Sequence, residues 1–184
     1  MDNDYIKFSN LNEFPEVVQG VSTRSFGSMK MLVSDPKVIK NRENFARELG
    51  IDLRSVVAAE NVHGAKIAVV TKDDIGRGAL NYQESIQGVD GLITRDPGVN
   101  LMITVADCLP VVCYDPILKI VGIAHAGWRG ILAGVGSSLI NEFKNMGCIK
   151  MNDGELGSEI GTREHKLRFK PIAFLKSFDL DITT

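Results

Sequence analysis

Two histidines and one cysteine could bind a metal ion together, although they lie far apart along the chain. His63 lies in the motif N-V-H-G, Cys108 lies in A-D-C-L-P, and His125 begins H-A-G-W-R-G. Two imidazoles and a thiolate suit Zn²⁺, and three protein ligands leave a fourth tetrahedral position for water or substrate, which is typical of catalytic zinc sites. Copper is the alternative metal, because the same donors bind it.

The same residues allow a second chemistry that needs no metal. Cys108 could act as a nucleophile that His125 activates, as in cysteine hydrolases and deamidases. A structural role also stays open for each residue taken singly. Cysteine is often buried, and a histidine at a strand end is more often a hydrogen-bonded structural residue than a ligand. The long separations along the chain must be closed by the fold.

Short apolar runs rich in β-branched residues predict the strands that would position these residues. We expect strands at 56–57, 67–71, 92–94, 101–105, 111–114 and 120–124. Several runs are continuously apolar, which predicts burial on both faces inside a layered structure of helices and sheets. His63, Cys108 and His125 each lie at the edge of a predicted strand.

Apolar residues at helical spacing predict two helices. Asp35 as N-cap and Pro36 at the first helical position begin the first, which runs to Gly50. The second follows the glycine turn at 125–130 and ends at Gly147. Such a turn directs backbone N–H groups and the positive end of a helix dipole toward a ligand, which favours an anion. Tight packing alone is an equally good explanation of the glycines.

Composition indicates an ordinary globular protein and excludes several other classes. The 184 residues are 44% hydrophobic and 24% charged, which excludes collagen, coiled coil and general disorder. One domain is the default for this length. The net charge of −2 provides no general attraction to a polyanion, so we expect no nucleic-acid partner.

We expect neither export, nor membrane insertion, nor disulfides. The acidic start lacks the basic and apolar parts of a secretory signal. The uncharged runs at 99–106 and 131–141 are shorter than the ~18–20 residues that cross a bilayer. Cys108, Cys113 and Cys148 show no C-x-x-C spacing, which favours reduced thiols in a cytosol. The sequence therefore predicts a cytoplasmic protein in which Cys113 and Cys148 are buried small hydrophobes.

Three motifs in order, V-H-G, A-D-C-L-P-V and H-A-G-W-R-G, resemble the signature of the YfiH family. This family is also called the laccase-domain or multicopper polyphenol oxidase-like family. Supporting stretches are G-V-S-T-R at 20–24, N-R at 41–42 and V-D-G-L-I-T at 89–94. The resemblance covers about residues 17–150.

The resemblance implies a fold, a metal site and an activity. The fold would be of the α+β class, layered α/β/β/α with mixed sheets, and the metal ligands would be His63, Cys108 and His125. The activity would be phosphorolysis of adenosine, inosine and methylthioadenosine to a free base and a pentose 1-phosphate, with zinc as cofactor and adenosine deamination as a second reaction. A copper polyphenol oxidase is the rival description. The expected partners are a purine nucleoside and phosphate, and a homodimer stays open.

Neighbouring residues suggest how such chemistry would proceed. Arg24, Arg129 and the glycine turn are the available groups for holding phosphate. Asp107 could orient a ligand or accept a hydrogen bond from a ribose hydroxyl, and with Cys108 and His125 it forms the candidate catalytic set; an aspartate at a strand end equally often caps a turn. Trp128 could stack on a purine, but packing in the core is the commoner role of such a tryptophan.

The segment after Lys150 departs from the family pattern. Residues 151–184 lack the family's closing motifs, and 151–170 show no sustained period. We expect a YfiH-like domain at 1–150, incomplete at its C-terminal end, and a divergent or truncated segment at 151–184 that is not a separate domain. An inactive remnant that acts as a binding module is therefore an alternative function.

Overall fold

Two mixed sheets form the frame of the protein in the computed structural model, which describes residues 5–30 and 35–148 and the backbone of 172–176. The first sheet has the spatial order β1 (Tyr5–Ile6), β2 (Val18–Ser22), β9 (Ile172–Lys176), β6 (Asn100–Thr104) and β3 (Val56–Ala58). The second has the order β4 (Ile67–Val69), β5 (Gly91–Thr94), β8 (Ile120–Ala126) and β7 (Leu109–Asp115). The pairs β3–β6 and β4–β5 are parallel and the other pairs are antiparallel.

Three α-helices lie in the described part of the chain: α1 (Pro36–Glu48), α2 (Trp128–Leu132) and α3 (Val135–Asn145). The predicted start of α1 is confirmed, since the Asp35 side chain accepts a hydrogen bond from the Lys37 N–H and Pro36 is the first helical residue. The second predicted helix is two helices, because Gly134 adopts a left-handed φ of 82° between them. Short 3-10 turns occupy Ser9–Leu11, Arg24–Phe26, Leu53–Ser55, Lys72–Asp74 and Tyr82–Glu84.

Successive side chains along a strand point to opposite faces of its sheet, so each sheet packs against the other sheet on one face and against a helix on the other. The result is four layers. The inner faces of the two sheets pack together through a first cluster that includes Val21, Val57, Leu101 and Ile103 from the first sheet and Leu92, Val112, Val121 and Ile123 from the second. On the outer face of the first sheet, Phe45 and Ala46 of α1 pack against strand residues such as Met102. On the outer face of the second, Leu139 and Phe143 of α3 pack against strand residues such as Ala124. The layered α/β/β/α architecture is therefore confirmed, and β5, β6 and β8 are buried on both faces as predicted. The strand β4 is the exception, since Val69 is 52% exposed.

Sequence reasoning missed three strands and misplaced one residue. The strands β1, β2 and β9 were not predicted, and β9 lies in the segment 151–184 yet pairs between β2 and β6 in the first sheet. His125 is not in the glycine turn. It lies inside β8, because pairing with β7 continues to the Leu109–Ala126 register. The remaining prediction for 151–184, a divergent segment that is not a separate domain, concerns residues that lie mostly outside the described range.

A bilayer-spanning helix does not occur among the residues that the structure describes.

Candidate metal centre

The fold brings the two histidines and the cysteine together. Candidate donor atoms of His63, Cys108 and His125 all lie within 4.8 Å of one another. The two imidazole rings meet edge to face, with centroids 4.8 Å apart and an interplanar angle of 86°. Residues that lie far apart in the chain thus form one cluster, which we call the donor cluster.

Strand alternation and register place two of the three donors. His125 lies on the same side of β8 as Val121 and Ile123, which face the first sheet, and its side chain is only 3% exposed. Antiparallel pairing sets His125 opposite Pro110 in β7. Cys108 directly precedes β7, so this register brings its thiol to the end of β8.

A strained bend carries the third donor. His63 lies between β3 and β4 with a positive φ of 64°, and Asn61 has a φ of 63°. Left-handed backbone costs a non-glycine residue about 1–2 kcal/mol. Such strain persists only where surrounding contacts impose it. Because the side chain of His63 is exposed, those contacts must act mainly on its backbone.

Asp90 makes those contacts with the backbone of the bend. Its carboxylate accepts the backbone N–H of His63 at 2.7 Å and that of Gly64 at 2.6 Å. The same Oδ1 atom lies 2.9 Å from Nδ1 of His125, whose backbone N–H donates to the Asp90 carbonyl at 2.7 Å. Asp90 is fully buried, at 0% exposure. One carboxylate therefore contacts the elements that carry both histidines.

The ionisation state of His125 suits metal binding. Burial lowers its pKa below the usual value, and this effect outweighs the hydrogen bond to the Asp90 carboxylate, which raises the pKa. The neighbouring His63 lowers the pKa of His125 further. The ring is therefore neutral at neutral pH, as a metal-ligating imidazole must be.

Glycines allow the backbone to come close to the donor cluster. A Cβ on Gly127 would lie 3.1 Å from the Cys108 sulfur, 3.1 Å from Cδ2 of His63 and 3.7 Å from Cε1 of His125. A Cβ on Gly130 would lie 2.7 Å from the Gly64 carbonyl, so α2 packs directly on the bend that carries His63. Positions 127 and 130 are glycines because these close approaches leave no room for side chains.

The residues present fit a bound metal ion. Two imidazole nitrogens and one thiolate form a borderline-soft donor set that suits zinc and also accepts copper. Two ligands of one such ion lie at most about 4.4 Å apart, given one sulfur at roughly 2.3 Å and nitrogens at about 2.0–2.1 Å. The donor atoms lie within 4.8 Å of one another, so small side-chain movements bring them into that range. The space beside Gly127, which a Cβ would fill, supports the same conclusion.

A cavity of about 130 Å³ opens beside the donor cluster. Its lining includes His63, Cys108 and His125 together with Lys30, Glu60, Asn61, Tyr82, Thr104, Val105, Ala106 and Asp107. Asp107 is exposed, and its Oδ1 accepts a hydrogen bond from the Cys108 thiol at 3.7 Å. The Tyr82 hydroxyl donates to the Glu60 carbonyl at 3.1 Å, and burial raises the pKa of Tyr82. The lining of the cavity thus includes two acidic residues, Glu60 and Asp107, beside the three donors.

Three predicted functional residues lie elsewhere on the surface. Arg24 and Arg129 are exposed and neither is among the cavity-lining residues, so their proposed contact with phosphate stays a prediction. The preferred interpretation of Trp128 as a core residue is wrong, since its side chain is 66% exposed. It starts a short helix whose outer face points to solvent, and the Arg129 guanidinium lies 5.0 Å from its ring centroid. The prediction that Cys113 and Cys148 are buried is confirmed, at 6% exposure each.

Three residues at this site were not predicted from the sequence: Asp90, Lys30 and Tyr82. Asp90 directly precedes the apolar strand β5, and an acidic residue at that position is itself a signal of a buried polar contact. Lys30 and Tyr82 carry no motif that connects them with the cavity. Only the folded chain brings them there.

The chain is similar to curated proteins that bear enzyme names. It is 36% identical over 128 residues to "Purine nucleoside phosphorylase YlmD" of Bacillus subtilis, covering 67% of this chain and 46% of that protein. It is 38% identical over 138 residues to the protein of the same name from Geobacillus stearothermophilus, covering 69% and 50%. It is 31% identical over 112 residues to "Adenosine deaminase RL5" from an unknown prokaryotic organism, covering 61% and 43%. The chain spans about half the length of these relatives.

Solved structures show the same fold. The crystal structure of YlmD from Geobacillus stearothermophilus superposes with a TM-score of 0.73 at 33% identity, covering 79% of this chain and 58% of that one. The crystal structure of the Bacillus licheniformis hypothetical protein YfiH gives a TM-score of 0.66 at 30% identity, covering 78% and 60%.

A family model supports the same relationship. The model described as multi-copper polyphenol oxidoreductase laccase matches residues 14–168, which include the whole donor cluster and extend past Lys150, where the recognised motifs end. Since this match covers most of the chain, the protein belongs to the multi-copper polyphenol oxidoreductase laccase family, the laccase-like family of YfiH and YlmD.

Proposed function

We propose that the protein is a zinc-dependent purine nucleoside phosphorylase with adenosine deamination as a second activity. The observation that carries the proposal is the donor cluster, in which two imidazoles and one thiol meet at the wall of a cavity. The names of the similar proteins YlmD and RL5 support the choice of substrate, with adenosine, inosine and methylthioadenosine as candidates.

The proposed ligands are His63, Cys108 and His125. A bound Zn²⁺ would supply Lewis-acid stabilisation of negative charge beside the cavity. The protein must hold these donors in the protonation state and the backbone conformation that metal binding requires. His125 is neutral because it is buried, and the bend at His63 is held by backbone hydrogen bonds.

In phosphorolysis, a phosphate oxygen bonds to C1′ of the ribose while the C1′–N bond breaks and its electron pair leaves with the purine. Phosphate must be held against C1′ during this step, which requires cationic groups. Lys30 lines the cavity and is the lysine among its lining residues. Arg24 and Arg129 remain proposed holders of phosphate, and Arg129 would have to turn away from the Trp128 ring to take part.

Asp107 is the proposed substrate-binding residue in phosphorolysis and the proposed general base in deamination. Its exposed carboxylate lies at the cavity next to Cys108. In phosphorolysis it would accept a hydrogen bond from a ribose hydroxyl. In deamination, water adds to C6 of adenine and ammonia leaves, and the same carboxylate would accept a proton from the attacking water.

A turnover assay tests the proposal directly. The purified protein is loaded with zinc, checked for folding by circular dichroism and incubated with adenosine and inorganic phosphate, and the products are separated by chromatography. We expect adenine and ribose 1-phosphate, with a smaller amount of inosine. Chelator treatment should abolish both reactions and zinc should restore them. Folded, zinc-loaded protein that makes neither product contradicts the proposal.

A metal-independent cysteine hydrolase is the second candidate. It is favoured by the closeness of the Cys108 and His125 donor atoms, within 4.8 Å. Activity that survives chelation and is lost on thiol alkylation would support this alternative over the phosphorylase.

A copper polyphenol oxidase is the third candidate, and the description of the matching family model is what favours it. Within the described residues, His63, Cys108 and His125 form a single three-donor group, whereas a multicopper centre requires several. Oxygen uptake by copper-loaded protein with a phenol substrate would test it.

Other expectations from the sequence stay predictions. They are the inactive binding module, the cytoplasmic location, the homodimer, and the absence of nucleic-acid and membrane partners.

A further inference from the structure

Asp90 contacts the donor cluster but does not line the cavity. It is fully buried and is not among the residues that line the cavity, so it is not placed to touch a substrate. Its contacts instead go to both histidine donors. A buried carboxylate is costly unless it is hydrogen-bonded, and each contact of this one serves the elements that carry His63 and His125.

The chemistry of these contacts determines where the proton of His125 lies. An ionised carboxylate accepts hydrogen bonds and cannot donate them. The backbone N–H groups of His63 and Gly64 donate to the two Asp90 oxygens, at 2.7 and 2.6 Å, an arrangement that favours the ionised, purely accepting carboxylate. The Nδ1 atom of His125, 2.9 Å from Oδ1, must therefore donate. In a neutral ring this leaves Nε2 without a proton and available to a metal.

The same carboxylate holds the strained bend. Successive N–H groups from a residue with positive φ and its neighbour form a concave nest that suits an anion. Asp90 fills that nest from inside the protein. Gly64 permits the approach, since a Cβ there would lie 3.3 Å from Oδ2. Without the carboxylate, nothing in these contacts favours the left-handed conformation of His63 over ordinary backbone.

We propose that Asp90 is the positioning residue of the metal centre, which sets metal affinity by fixing the Nδ1–H tautomer of His125 and the backbone of His63 at the same time. The proposal rests on the proposed metal centre but not on the phosphorylase activity. It concerns a residue whose role none of the motifs or similar proteins specifies.

An Asp90→Asn substitution separates this role from simple packing. The amide has nearly the shape of the carboxylate but presents one oxygen acceptor and one nitrogen donor. If the nitrogen faces His125, the ring proton moves to Nε2, the atom needed by the metal. If the nitrogen faces Gly64, two donors oppose each other and the bend loosens. Either arrangement weakens metal binding, by about 10–100-fold on the scale of outer-shell substitutions.

Asp115→Asn is the matched control. Asp115 is also a buried carboxylate, 9% exposed, and accepts the backbone N–H groups of Ile117 and Leu118 at 2.8 and 2.9 Å. It lies at the end of β7 opposite to the donor cluster. The control therefore loses comparable hydrogen bonds without affecting either histidine.

The experiment measures zinc affinity by competition with a chromogenic chelator and the His125 tautomer by ¹⁵N NMR of the metal-free protein. The chain has three histidines, and a His165→Gln variant assists the assignment. We expect Nδ1–H in the wild type, a 10–100-fold loss of zinc affinity in D90N and none in D115N. Equal affinity of folded D90N and wild type would overturn the proposal. If D90N does not fold, the wild-type spectrum decides, since an Nε2–H tautomer there would equally overturn it. Failure of the wild type to bind zinc would contradict the metal centre, while the metal-free spectrum would still test Asp90.

Discussion

The backbone at Gly127 lies against the Cys108 sulfur so closely that an added Cβ would be 3.1 Å from Sγ. The same Cβ would be equally close to the His63 ring. Gly127 has ordinary extended angles, φ −74° and ψ 165°, so its lack of a side chain is a requirement of space and not of backbone conformation. One side of the donor cluster is therefore closed by main chain alone.

A Gly127→Ala substitution should thus impair metal binding and leave the fold intact. The added methyl displaces the Cys108 or His63 donor, and we expect zinc affinity to fall by about tenfold or more, as when a ligand loses its orientation. Zinc titration with a competing chelator measures this. Gly136→Ala in α3 is the control, since a Cβ there has nothing within 4 Å. Unchanged affinity in G127A would show that the donors do not bind the ion where the structure brings them together.

Thiol modification should single out Cys108. It is the partly exposed cysteine, whereas Cys113 and Cys148 are buried and burial raises the pKa of the Cys113 thiol to about 12. We expect iodoacetamide to modify one thiol of the folded, metal-free protein, and zinc to protect it. Mass spectrometry of peptides identifies the site. Equal rates of modification with and without zinc would mean that Cys108 is not a ligand.

Arg42 should matter for stability rather than for chemistry. Its guanidinium is 1% exposed and donates to the carbonyls of Met29, Gly78 and Ala79 at 2.8–3.1 Å. Arg42→Met leaves these carbonyls without their donor, so the free energy of unfolding should fall by about 2–5 kcal/mol. Urea denaturation measures the change.

The control for Arg42 is Arg47→Met on the exposed face of the same helix, where Arg47 donates to Asn44 at 3.1 Å. We expect a change within about 0.5 kcal/mol there. Similar losses in the two variants would contradict a special role for the buried guanidinium.

Glu16 should contribute stability that depends on pH. Its Oε1 accepts from Lys119 Nζ at 2.8 Å and from the Tyr114 hydroxyl at 2.9 Å, and these contacts lower its pKa from 4.5 to about 2. The unfolded chain therefore takes up the proton first as the pH falls. The contribution is complete above pH 4.5 and is lost as the pH falls to about 2.

Comparison of wild type and Glu16→Gln by urea denaturation at pH 7, 4 and 2 tests this. We expect the variant to be less stable at pH 7 and the difference to vanish near pH 2. Glu13→Gln at an exposed position controls for the removal of one negative charge. A difference that does not change with pH would argue against the ionised contact.

The sequence indicates most of the core because the core depends on local pattern. Apolar runs such as 101–105 predict buried strands, and the Asp35–Pro36 pair predicts the start of α1. The motifs identify His63, Cys108 and His125 as a group only through resemblance to a family, since nothing in their spacing brings them together. Register does so in the structure, through the pairing of β7 with β8.

Contacts between distant segments account for what the sequence could not indicate. The strand β9 has no distinctive pattern of its own and becomes a strand by pairing between β2 and β6. The role of Asp90 depends on the fold bringing the backbone of residues 63–64 into hydrogen-bond contact with its carboxylate. The break between α2 and α3 depends on the left-handed conformation of Gly134. The exposure of Trp128 likewise follows from the tight approach of α2 to the bend, which leaves the outer face of this short helix in solvent.

X-ray absorption spectroscopy of the zinc-loaded protein tests the central claim most directly. If His63, Cys108 and His125 share one ion, the spectrum contains one sulfur at about 2.3 Å and two imidazole nitrogens at about 2.0–2.1 Å, and Cys108→Ser removes the sulfur signal. Zinc surrounded only by oxygen and nitrogen in the wild type, or a sulfur signal that persists in C108S, would contradict the account.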